Sequence, residues 1–170
     1  MASSADGYIA RKDGSIDWLP TPAPDESDYG YVEFYSTVDA MVMGSRTYEK
    51  IPSFGDWPHK DRPVHVLTSR LLHPPPGASV KFWNLFVSDL VEYLDNTGIQ
   101  HAWLVGGSAT NGAFLAADLI DTIVLSIIPT ILGDGIPLFP AKTSARPLAW
   151  VSTESFPGGV VQTTYDVQHG

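Results

Sequence analysis

Apolar residues in this chain fall in short, nearly unbroken runs, separated by stretches of helical spacing and by clusters of Gly, Pro, Asp and Ser. The runs at residues 40–43, 63–68, 78–82, 102–105 and 121–129 contain many β-branched residues and read as strands. Runs with so little polar alternation suit strands covered on both faces. Residues 28–37, 88–96 and 108–117 read as helices, the second with Ser88 as its N-cap and Gly98 beyond its end. Strands alternating with helices predict an α/β fold, three-layer α/β/α, around a mixed, mainly parallel sheet. Residues 149–155 and 160–167 are also strand-like and are joined through Pro157, Gly158 and Gly159, which predicts a C-terminal antiparallel hairpin. Residues 10–28 and 52–62 are rich in Pro, Gly, Asp and Ser and read as surface loops, the first long enough to carry function.

Composition bounds this picture. A chain of 170 residues, 44% hydrophobic and 17% charged, suits one domain over residues 1–170. The net charge of -9, with no basic run, argues against nucleic acid as a partner. It also makes any Arg beside a glycine turn a candidate anion ligand. There are no cysteines, which excludes disulfides, thiol catalysis and Cys-ligated metals and fits a cytoplasmic protein. No signal-like start appears, and no run approaches the roughly 20 apolar residues a membrane span needs. The five histidines show no metal-ligand spacing, and no G-x-S-x-G elbow marks a hydrolase.

Three strand ends carry candidate chemistry. At the first, an apolar strand ending in Val105 runs into Gly106, Gly107, Ser108 and Ala109, where a helix begins. Adjacent glycines let a ligand approach bare backbone N–H groups, and a helix N-terminus favours an anion. At the second, Gly44 ends a strand and Ser45, Arg46 and Thr47 follow, offering a forked cation and neutral donors to a phosphate. At the third, Thr68, Ser69 and Arg70 stand at a strand end. An Arg with no neighbouring acid in the sequence suits a ribose 2′-phosphate, whereas a carboxylate suits free ribose hydroxyls. Alone, the first segment is equally a tight turn that binds nothing, and the other two read better as an exposed Arg beside a helix start and a polar turn. Together they form one rim for a long anionic ligand.

Those segments, in this order, resemble the dihydrofolate reductase superfamily, and more closely its bacterial branch related to the reductase domain of riboflavin biosynthesis. The resemblance also takes in Ser4 to Ala10, Gly14 to Leu19 and Ile128 to Phe139, and so spans nearly the whole chain. It implies an oxidoreductase with NADPH lying across the strand ends. Gly44, Ser45, Arg46 and Thr47 then match the turn that holds cofactor phosphates. Thr68, Ser69 and Arg70 match the 2′-phosphate segment. Val105, Gly106, Gly107, Ser108 and Ala109 match the turn under the pyrophosphate. Ile9, Ala10 and the Gly14-to-Trp18 stretch match the loop over the nicotinamide, with Trp18 near the substrate. Only Met1 to Ala5 precede Asp6, so the family's first strand is expected to be short here.

The expected reaction is hydride transfer to a small pterin-, flavin- or pyrimidine-like substrate, with the protein mainly orienting the reactants. Asp28, then Asp17, are the candidate proton donors, with Glu33 also available in the first helix; as alternatives, Asp28 caps that helix and Asp17 is a solvated loop residue. Tyr31, Phe34 and Tyr35 offer an aromatic wall for a heterocycle, although aromatics at helical spacing more often belong to a core. A competing expectation is a non-catalytic nucleotide-binding or assembly protein that keeps the fold. A homodimer formed through the C-terminal hairpin or a sheet edge is compatible with either.

Overall fold

The computed structural model describes residues 1–20 and 27–169, so residues 21–26 of the expected loop lie outside the described residues. The chain divides into two compact units, residues 34–119 and residues 1–33 with 120–170.

The unit of residues 34–119 is built on four parallel strands: β3 (Ala40–Gly44), β4 (Val64–Leu67), β5 (Val80–Trp83) and β6 (Ala102–Gly106), in the order β5-β4-β3-β6. The near-unbroken apolar runs have the expected cause, since both faces are covered. On one face Met41, Met43, Val64, Val66, Val80, Phe82, Trp103 and Val105 pack with Phe34 and Tyr35 of helix α1 (Tyr31–Ser36) and Tyr48 of helix α2 (Ser45–Lys50). The alternate residues face α3 (Val87–Asn96) and α4 (Ser108–Ala116), which bury Leu90, Leu94, Phe114 and Leu115. His65 on that face meets Tyr93 of α3 at 5.8 Å between ring centroids. Burial holds the His65 imidazole down to about 4, and its neutral ring accepts the Trp83 indole N–H at Nδ1, 3.0 Å away. This unit therefore has the predicted three layers.

Two expectations change here. Ser88 does not cap α3, which begins one residue earlier at Val87 with Phe86 as its cap position. Residues 52–62 are not simply surface loop, because Trp57 and His59 are both only 7% exposed. The indole N–H of Trp57 donates to the His59 carbonyl at 3.0 Å, so this polar-looking segment plugs the core with its two rings.

The unit of residues 1–33 and 120–170 holds a sheet in the order β1-β7-β10-β9, made of β1 (Ala2–Ser4), β7 (Thr122–Ile128), β9 (Leu148–Phe156) and β10 (Val160–Val167). β1 is indeed short, and pairs parallel with β7 from Ala2↔Ser126 to Ser4↔Ile128. β10 is antiparallel to both β7 and β9, so the predicted hairpin is present. A two-stranded ladder joins β2 (Tyr8–Ala10) to β8 (Ile136–Pro137). Neither β2 nor β8 has an apolar run long enough to announce it. Asp6 fastens this region: its carboxylate accepts the Leu132 N–H at 3.1 Å, the Gly133 N–H at 2.7 Å and the Ser4 hydroxyl at 2.7 Å. These donors, the Ser4 hydroxyl first, hold the Asp6 carboxyl below the usual range. The mixed α/β class is as expected: the sheet of residues 34–119 is all parallel, while this one combines the parallel β1–β7 pair with antiparallel β10 and β9.

Candidate functional site

Strand register brings the three candidate turns of residues 34–119 together. In the parallel pairing Gly44 lies opposite Leu67, and Met43 lies opposite Gly106. The carboxyl ends of β4, β3 and β6 are therefore neighbours in that order. β4 and β5 extend to one side of β3, and β6 lies on the other. The strand order reverses between β3 and β6, and open α/β sheets bind ligands in the crevice outside such a reversal. Gly44 to Thr47 and Gly106 to Ala109 stand on its two sides.

Both turns are built for close backbone approach. Gly107 is the N-cap of α4 with φ 60 and ψ 154, a region that essentially only glycine adopts. A Cβ there would lie 3.1 Å from the Thr47 hydroxyl, which itself donates to the Gly106 carbonyl at 3.2 Å. Gly44 has ordinary backbone angles, but a Cβ on it would stand 2.5 Å from the Thr110 hydroxyl oxygen. The two strand ends are thus stitched together at separations that leave no room for a side chain. Thr110 is the residue the sequence argument misses, because only the packing of α4 against β3 reveals its role.

Ser108 is 9% exposed, and its hydroxyl has no hydrogen-bond partner among the described residues. A buried polar group without a partner is costly, and an oxygen-rich ligand relieves it. Arg46 is exposed and forms no ion pair among the described residues. These features fit a phosphate-bearing ligand at this edge.

Arg70 is placed differently from the sequence expectation. Its guanidinium donates through Nη1 to Oε1 of Glu49 at 3.0 Å and through Nη2 to Oε2 at 2.6 Å. The reading of an Arg with no neighbouring acid is therefore corrected. Glu49 is 21 residues away in sequence, but α2 follows β3 and Arg70 follows its parallel neighbour β4. Thr68 accepts the Arg70 backbone N–H at 2.9 Å and fixes that turn, while Ser69 is exposed.

Phe34 and Tyr35 lie against the core rather than on an open wall. Phe34 meets Trp103 edge-on at 5.2 Å. Tyr35 packs near His59 and Trp103 and donates its hydroxyl to Asp61 at 2.8 Å, under the Arg62 guanidinium. Their helical spacing therefore served packing.

The remaining candidates belong to the other unit. Ala10 is buried and Ile9 half-buried in β2. Tyr31 is 44% exposed. Asp28 caps α1, accepting the Gly30 N–H at 3.1 Å and the Val32 N–H at 2.9 Å. Asp17 accepts from Arg11 Nε at 2.7 Å, and this partner holds its carboxyl below the usual range. The Trp18 indole N–H is buried with no acceptor among the described residues.

Comparison with known proteins agrees with this geometry. The model of the RibD C-terminal domain family matches residues 1–162. The chain belongs to the RibD C-terminal domain family. Within reach of that family, it is 35% identical over 166 residues to the uncharacterized protein YwjB of Bacillus subtilis (strain 168), covering 97% of this chain and 94% of YwjB. It is 31% identical over 126 residues to the dihydrofolate reductase HdrB of Haloferax volcanii, covering 72% of this chain and 62% of HdrB. A crystal structure of a putative riboflavin biosynthesis protein from Shewanella sp. PV-4 superposes with a TM-score of 0.90 at 35% identity, covering 99% of this chain and 97% of that one. RibD-family membership thus carries the dihydrofolate reductase-like α/β fold expected from the motifs. Among the described residues, no helix is long and apolar enough to cross a membrane.

Proposed function

We propose that residues 1–170 act as one NADPH-dependent reductase domain for a small heterocycle of the pterin, flavin or pyrimidine class. The observation that carries this reading is the reversal of strand order between β3 and β6, flanked by the Gly44 and Gly107 turns. The bound dinucleotide supplies the hydride. The chain supplies orientation and exclusion of water, which is most of what hydride transfer asks of a protein.

In this reading the backbone N–H groups at the start of α4, with the Ser108 hydroxyl and the turn of Val105, Gly106, Gly107 and Ala109, would hold the pyrophosphate. Arg46, Ser45 and Thr47 hold phosphate from the β3 side. Thr68, Ser69 and Arg70 take the adenosine end. Ile9, Ala10 and Trp18 keep the role the resemblance gives them, beside the nicotinamide. The indole N–H of Trp18, which has no acceptor among the described residues, would donate to a ring carbonyl or a bound water, and Tyr31 would be the exposed aromatic face for the heterocycle. Asp28 and Asp17 are both engaged by other groups, so the proton is assigned to water. Relatives named for riboflavin biosynthesis and for dihydrofolate reduction support a substrate of this class, and the cytoplasm is the proposed compartment.

A second reading, non-catalytic nucleotide binding, is favoured by one observation: Asp28 and Asp17 are both held by other groups rather than poised as acids. Two copies are proposed to pair through β9, a sheet edge whose Leu148, Trp150 and Val151 are 44%, 67% and 46% exposed. Light scattering tests that pairing.

The test of function is a thermal melt with NADPH, followed by its oxidation in the presence of pterins, flavins and aminopyrimidines. Ligand at about 100 times its Kd adds roughly 2.7 kcal/mol of stability, and Arg46→Ala reduces the shift. Oxidation of NADPH by any of these substrates supports the reductase. Binding without oxidation supports the second reading, and no binding contradicts both.

A further inference from the structure

Glu49 has no role in the account so far, yet it holds both terminal nitrogens of Arg70. The inference rests on the dinucleotide reading above. We propose that Glu49 sets the choice between the two nicotinamide cofactors, by occupying the guanidinium that a 2′-phosphate would use and by offering its carboxylate to a free ribose hydroxyl.

A guanidinium binds a phosphate through the same parallel N–H fork that binds a carboxylate. In this chain that fork is filled, Nη1 at 3.0 Å and Nη2 at 2.6 Å from the two oxygens of one carboxylate. A 2′-phosphate arriving here meets a neutral pair and a negative oxygen, and has to separate them. A 2′-hydroxyl meets an acceptor already in place, the arrangement that suits the cofactor lacking the phosphate. Glu49 and Arg70 side chains are 41% and 50% exposed, so their pairing is weak enough for a dianion to compete. Arg46, on the same rim, has no such partner among the described residues and so serves the phosphates common to both cofactors. The two arginines are therefore divided: Arg46 gives affinity, and the Glu49–Arg70 pair gives selectivity, of which it leaves little.

The test is calorimetric titration of NADPH and NADH into the parent chain, Glu49→Gln and Glu49→Gln/Arg70→Met. Melting curves without ligand check that each variant is folded. The expected parent prefers NADPH, but by no more than about tenfold in Kd. Glu49→Gln, which frees the fork, moves the ratio toward NADPH by roughly two- to fivefold, the scale of an exposed ion pair. The added Arg70→Met removes that gain. An unchanged ratio in Glu49→Gln overturns the proposal, as does a weaker hold on NADPH, which would make Glu49 a positioning residue for Arg70. If the parent binds neither cofactor, the dinucleotide reading fails and takes this proposal with it.

Discussion

The parallel sheet of residues 34–119 and the β9–β10 hairpin are both built from apolar and β-branched stretches, but they spend them in opposite ways. In the first, Met41, Met43, Val64 and Val66 are at most 1% exposed. In the second, every residue of β9 from Leu148 to Ser155 is exposed. A strand covered on both faces fixes the position of its end to a fraction of an ångström, because neighbours on every side define it. An edge strand has no such constraint. The lesson is that the strand ends able to position a ligand are those of the buried sheet, while the exposed edge strand β9 is free to serve contact with another chain.

The contrast can be broken most severely from within the core. Met43→Ala is expected to cost about 2–5 kcal/mol in denaturant unfolding, since Met43 is fully buried and Gly44 follows it directly. Trp150→Ala is the matching probe in the hairpin, and its expected change is at the far end of the scale. A loss at Trp150 comparable to that at Met43 would undo the distinction.

A sharper cut spares the core and strikes the turn. Gly107→Ala places a side chain in a backbone region closed to it and 3.1 Å from the Thr47 hydroxyl. The expected destabilisation is roughly 1–3 kcal/mol, with NADPH affinity falling more than stability alone explains. Equal NADPH affinity in the refolded variant would show that the turn is structural only.

The pH dependence of the buried sheet is of similar size. The folded value of His65, about 4, lies below its unfolded 6.5. Neutral His65 therefore supports the fold fully above about pH 6.5, and that support is lost as pH falls toward 4. The loss is on the order of 3 kcal/mol across this window, and His65→Gln flattens it. A parent chain with no decline there would contradict the buried, neutral ring.

The smallest effect belongs to the edge. Trp150→Ala is expected to leave monomer stability within about 0.5 kcal/mol, while light scattering reports a lower mass if β9 pairs two copies. An unchanged dimer would move the interface elsewhere.

Much of this was legible in the sequence. The strands of the parallel sheet, the C-terminal hairpin and the glycine turns after β3 and β6 follow from short-range pattern. Thr110, Glu49 and the buried Trp57–His59 segment do not, because each matters only through partners brought close by strand order. Phe34 and Tyr35 show the converse: a helical aromatic pattern reads the same whether the rings face a ligand or a core. Asp28 shows how one carboxylate supports two roles on paper, until its two N–H donors make it a helix cap.

The most direct measurement is backbone hydrogen exchange of the parent chain with and without NADPH. The account predicts slower exchange at Gly44 to Tyr48 and Gly106 to Asn111, with no change along β9. Protection absent from both turns, while NADPH is demonstrably bound, would place the dinucleotide elsewhere and contradict the assignment of the β3–β6 edge.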